Sequence, residues 1–134
     1  MLVNFNVQRP QQNFGMAIYS NENVNKVIKS RIKNPEEAKK LNDIIEKQTL
    51  NNLANIILHT DGKNISAKVI EAKVDLDFKD LSKEFNENAI TKMFGGGVVG
   101  LIEKAADYAE KIAATIKTRN AMDIDGILNK IKKV

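Results

Sequence analysis

Asp61-Gly62 stands between two runs of strand character, Ile56-Ile57-Leu58-His59 before it and Ile65, Ala67 and Val69 after it. An Asp-Gly pair in that setting is the strongest short-range signal for a hairpin, because glycine takes a positive φ at little cost. Whatever fold the chain adopts must therefore hold an antiparallel pair near its middle, with Thr60-Asp61-Gly62-Lys63-Asn64 at the tip. After Val69 the apolar phase moves by one residue, to Ile70, Ala72, Val74, Leu76 and Phe78, with Lys73, Asp75 and Asp77 opposite. A one-residue slip sends every side chain to the other face of a sheet. Both stretches can face one core only through a bulge or bend near Val69-Ile70.

A second period-2 pattern opens the chain. Val3, Phe5 and Val7 alternate with Asn4, Asn6 and Gln8, Arg9-Pro10 interrupts, and Phe14, Met16 and Ile18 resume. Pro10 cannot donate to a ladder, so it marks a loop between two antiparallel strands. Between the two predicted hairpins lie helical signals. Ser20 or Asn21 can cap a helix whose stripe is Val24, Val27, Ile28 and Ile32. Asn34-Pro35-Glu36-Glu37 supplies a cap oxygen, a proline at the first helical position and two carboxylates at the positive end of the dipole. The helix it starts carries Leu41, Ile44 and Ile45 inward and stops near Asn51-Asn52.

The remainder reads as helical. Asp80 or Ser82 can cap a segment with Leu81, Phe85, Ala89, Met93 and Phe94 on one side, ended by Gly95-Gly96-Gly97. Val98, Leu101, Ile102, Ala105, Ala109, Ile112 and Ile116 then fall within an arc of about 100°. A last short helix capped by Asp123 or Asp125 would turn Ile127, Leu128 and Ile131 inward and Lys130, Lys132 and Lys133 outward. The expected fold is α+β, in the order ββαα-ββ-ααα, with a four-stranded, mainly antiparallel sheet of two hairpins packed with helices. It would form one domain over 1–134, with sheet and two helices in 1–79 and a helical 80–134 hinged at the glycines 95–97. At 134 residues, 43% of them apolar, a chain buries roughly two-thirds of its unfolded surface and folds without staples.

Composition removes much chemistry. Cysteine is absent, so there is no disulfide, thiolate zinc site or cysteine nucleophile, and His59 is the only histidine. His59 beside a turn has neither an orienting carboxylate nor a nucleophile near it in sequence. Asp75, Asp77 and Asp80 are carboxylates of the kind that hold hard cations, yet alternation on the wet face of a strand produces the same string. Asp123-Ile124-Asp125-Gly126 is too short of ligands for a calcium loop. No catalytic residue, metal or cofactor is nominated, and a non-enzyme is expected. Residues 95–100 match a GxGxxG string, but that fingerprint needs a strand before it, and here a helix is expected. An anion held at the following helix start, in a sequestering protein, is the third functional reading.

The leading reading is interaction. Met93, Phe94, Gly95, Gly96, Gly97, Val98, Val99, Gly100 and Leu101 form a continuous apolar, glycine-rich stretch suited to a hinge or interface. Glu103, Asp107 and Glu110 nearby speak against a membrane-surface helix. More apolar stripes are present than one sheet face covers, so a non-enzymatic protein that binds another protein or itself, as a homo-oligomer, is expected. The net charge of +4 and pI near 9.2 come from 21 Lys and Arg against 17 Asp and Glu. Only Arg9, Arg31 and Arg119 are arginines, and bidentate phosphate recognition favours arginine. Lys26, Lys29 and Lys33 lie within about 60° on their helix, while Arg31 projects into the apolar arc. With Arg31 they are the candidate phosphate contacts of the second reading, a basic nucleic-acid module. The richness in Lys, Asn and Ile fits an AT-rich genome and an accessory or structural protein of a phage or mobile element. No apolar run approaches the ~20 residues of a membrane span and no signal peptide is evident. An intracellular protein, or a virion component, is expected.

Overall fold

The computed structural model describes residues 18–73, 75–88 and 97–132. Its elements run β1 (Ile18–Tyr19), α1 (Glu22–Arg31), α2 (Pro35–Gln48), β2 (Ala54–Thr60), β3 (Ile65–Glu71), β4 (Lys83–Asn86), α3 (Gly97–Ala121) and α4 (Ile124–Leu128). The central hairpin forms where its turn residues require. The β2–β3 register is continuous from Thr60 opposite Ile65 to Ala54 opposite Glu71. Gly62 takes φ +101°, and Asp61 Oδ1 accepts from the N–H groups of Lys63 and Asn64 at 2.9 and 2.8 Å. There is no bulge at Val69-Ile70. The shift of apolar phase marks instead the end of the strand, since the chain leaves the sheet after Glu71 and Leu76 is 93% exposed.

The sheet is mixed, in the order β1-β2-β3-β4, and this corrects the expectation of a mainly antiparallel one. β1 pairs with β2 in parallel, Ile18 opposite Ile56 and Tyr19 opposite Ile57. The cause lies in the connection: two helices carry the chain from β1 back to the same end of the sheet, and such a crossover joins parallel strands. Of the predicted opening hairpin, residues 3–7 and 14–17 lie outside the described residues. The fourth strand comes from 83–86, where a helix was expected. Pairing with β3 overrides the helical spacing there, with Phe85 opposite Ala67 and Glu84 opposite Lys68. Phe85 also meets the Tyr108 ring edge-on at 5.7 Å. Asp80 closes a tight turn onto Ser82 rather than capping a helix. The rest of that predicted helix, with Ala89, Met93 and Phe94, lies outside the described residues.

The helical starts follow local chemistry. Asn21 Oδ1 accepts from Val24 N at 2.9 Å, and Asn34 Oδ1 accepts from Glu37 N at 2.9 Å, with Pro35 at the first position. Each such cap is worth about 1 kcal/mol. α3 forms the centre of the helical layer. Its Val98, Val99, Leu101, Ile102, Ala105, Ala109 and Ile112 are buried together with Ile56, Ile65, Ala67 and Val69 of the sheet and Val24 of α1. The alanines at 105, 106, 109 and 113 keep α3 slim where its neighbours approach. α2 lies along α3, with Gln48 Nε2 donating to Ala106 O and the ion pairs Lys40–Glu103 and Lys47–Glu110 closing the seam at 3.2 and 2.9 Å. The other sheet face carries Tyr19, Ile57, His59 and Lys68, all exposed. No helix among the described residues is long and apolar enough to cross a membrane.

Candidate functional site

Two arginine–glutamate pairs hold the ends of β3. At its start, Arg31 Nη1 donates to Glu87 Oε2 at 2.8 Å, and the Glu87 side chain is wholly buried. The other oxygen of Glu87 accepts from Ile65 N at 2.7 Å, and Arg31 Nη2 donates to the Lys63 carbonyl. This accounts for an arginine in the apolar arc of α1. At the end of β3, Arg119 Nη2 donates to Glu71 Oε1 at 3.0 Å, Glu71 Oε2 accepts from Leu81 N at 3.0 Å, and the guanidinium lies 4.3 Å from the Phe78 ring centre. A buried charge pair is tolerable only when its remaining donors and acceptors are matched. Both ends meet that condition. Glu71, Glu87 and Arg119 escaped sequence reasoning because their charged partners lie 48 or 56 residues away.

The predicted site residues separate. Gly97 opens α3 at φ +64°, which a residue with a side chain rarely adopts. Val98, Val99, Gly100 and Leu101 are buried in the chain's own core, so the interface expected from them has no surface there to offer a partner. Met93, Phe94, Gly95 and Gly96 lie outside the described residues. Of the four candidate phosphate contacts, Lys26 pairs with Glu22 at 3.9 Å on an exposed face and Lys29 is also exposed. Arg31 and Lys33 do meet the start of α3: with Lys40, Lys63, Gly97 and Val98 they line a cleft of about 940 Å³. Two of its four cations are ion-paired, Arg31 with Glu87 and Lys40 with Glu103, and Glu37 lines it as well.

The carboxylates once considered for cations work inside their own turns. Asp75 Oδ1 accepts from Asp77 N at 3.0 Å. Asp80 accepts from the Ser82 hydroxyl at 2.7 Å and from its N–H at 2.9 Å, and these bonds hold the Asp80 carboxyl below its ordinary value. Asp123 Oδ1 accepts from Gly126 N at 3.1 Å and caps α4.

A different surface stands out. Leu76 and Phe78, in the loop after β3, and Met122, after α3, line a groove of about 970 Å³ together with Leu53, Ile116 and the Arg119 guanidinium. α4 follows Met122 directly and has no buried residue. Its Ile127, Leu128 and the following Ile131, expected to point inward, are exposed, as is Ile124, with Met122 at 70% and Ile131 at 62%. The stripe was legible in the sequence, but its direction was not. α3 already fills the sheet face, so no room is left in the core for a second amphipathic helix.

Against known families, characterised proteins and solved structures, the chain has no match.

Proposed function

We propose that this is a non-enzymatic protein that acts by binding another protein through the apolar end formed by Leu76, Phe78, Met122 and α4. What supports the reading is the concentration of large apolar side chains at that one end: seven of them, from 42% to 93% exposed. Their exposed fractions amount to roughly four whole residues, on the order of 600 Å² of apolar side chain, the upper end of the 300–600 Å² of the largest apolar patch on a typical monomer. Apolar area of that size gains about 25 cal/mol per Å² when covered, a driving force of the size that association requires.

A photo-crosslinking residue at Leu128, in the full chain inside the cells that make it, tests the reading. A discrete protein adduct from position 128, and none from an exposed polar position such as Lys39 on α2, is the expected result. Absence of any adduct at 128, or equal labelling at 39, overturns it.

A further inference from the structure

Resting on that reading, we propose that the protein bound there is a second copy of this chain, and that the two copies lay their α4 segments antiparallel across a two-fold axis. The turn bonds Lys130 N to Ile127 O and Ile131 N to Leu128 O, 3.1 and 3.0 Å, carry the helical path of α4 on to residue 131. Ile124, Ile127, Leu128 and Ile131 therefore share one side, at the spacing of a helix that packs on a helix. Nothing among the described residues buries that side.

The charges around the stripe select the partner. Asp123 and Asp125 sit at the start of the segment, Lys130 and Lys132 at its end. Continued at ~100° per residue beyond both ends of the five-residue helix, the segment would set Asp125 and Lys132 on one flank of the stripe and Asp123 and Lys130 on the other. In an antiparallel pair each flank meets the same flank of the other helix. Asp125 of one copy then lies beside Lys132 of the second, and Asp123 beside Lys130, each twice by symmetry. A parallel pair would set Asp against Asp and Lys against Lys. The apolar stripe matches itself under the same rotation, with Ile124 facing Ile131 and Ile127 facing Leu128. A surface complementary to itself in both shape and charge is what an isologous contact requires. The stripe itself exposes roughly two whole residues per chain, so Leu76, Phe78 and Met122 must join the contact for it to approach the ~800 Å² that each partner contributes to a standard interface. The pairing also supplies what α4 lacks, since a helix of five residues is marginal in water without packing.

Sedimentation equilibrium of the full chain tests the proposal. The expected result is a reversible species of twice the 15.0 kDa chain mass at micromolar concentration. Ile127→Asp should leave it monomeric and cooperatively folded, with a melting temperature that no longer depends on protein concentration. Asp125→Lys alone, or Lys132→Glu alone, puts like charges together along the 125/132 flank and should weaken the dimer at least ~10-fold. An equimolar mixture of those two variants restores opposite charges and should associate as tightly as the natural chain. A monomer up to hundreds of micromolar, a dimer indifferent to Ile127→Asp, or a mixture no tighter than its components overturns the proposal. A Leu128 crosslink to a protein of another mass would sink this proposal and leave the interaction reading standing; no crosslink at all would sink both.

Discussion

The two ends of β3 are held by the same pair of residue types and put them to opposite uses. At the Ile65 end, the Glu87 carboxylate is wholly buried and Arg31 neutralises it from the half-buried rim, while Val98 and Val99 at the start of α3 are buried, so apolar side chains point in. At the Glu71 end, the Arg119 guanidinium lies against Phe78, and Leu76, Phe78 and Met122 around the same groove are exposed, so apolar side chains point out. The contrast teaches that a buried ion pair is neutral as to purpose. Which way its neighbours' apolar side chains face separates an architectural end from a recognising one.

Removing the acid at the closed end should cost most. Glu87→Ala strands the Arg31 charge and orphans the Ile65 N–H, and should lower unfolding stability by about 3–5 kcal/mol in urea titration. Glu71→Ala should cost about 1–3 kcal/mol by the same measurement, because the Leu81 N–H it orphans is only part-buried whereas the Ile65 N–H is buried. If the two losses came in the reverse order, the distinction between the ends would fail. Arg119→Lys keeps the charge but not the planar face over Phe78, and should cost about 0.5–1 kcal/mol, with the Phe78 ring resonances moving in the NMR spectrum. Leu128→Ala should change the thermal stability of the dissociated chain by no more than about 0.5 kcal/mol, whereas a comparable truncation in the core costs about 2–5 kcal/mol. Smallest of all is the effect of Ser82→Ala. The Ser82 bonds favour the ionised Asp80, so its contribution is present above the ordinary carboxylate range and lost as pH falls through the lowered value. The variant should move the Asp80 titration, followed by carboxyl NMR, upward but only part of the way, since the residue-82 N–H still donates to it.

What could be read in the sequence was local. Asn34-Pro35 and Asp61-Gly62 carry their structural instructions within three residues, and both formed as written. Asn21 likewise. The direction of β1 and the identity of β4 depend on pairings between distant segments, and a helical spacing of Leu81 and Phe85 cannot compete with a ladder that places Phe85 opposite Ala67. The site was partly legible. Arg31 stood out as a cation in an apolar arc, without its partner, and the Ile127-Leu128-Ile131 stripe announced an amphipathic turn. Neither Glu87 nor the outward direction of the stripe had a local signal, since each follows from how much of the sheet α3 occupies. The glycine-rich 95–100 stretch attracted attention through its composition, yet the part of it that is described, from Gly97 onward, supplies packing.

The Arg31–Glu87 bond spans 56 positions of chain, and that separation has a consequence for biosynthesis. At about 5–20 residues per second, roughly 3–11 seconds pass on the ribosome between the appearance of the base and that of its acid. Until then the guanidinium must stay hydrated, and the first hairpin cannot seal. The nascent polypeptide should therefore remain open to proteases and chaperones until the strand preceding Glu87 emerges from the exit tunnel.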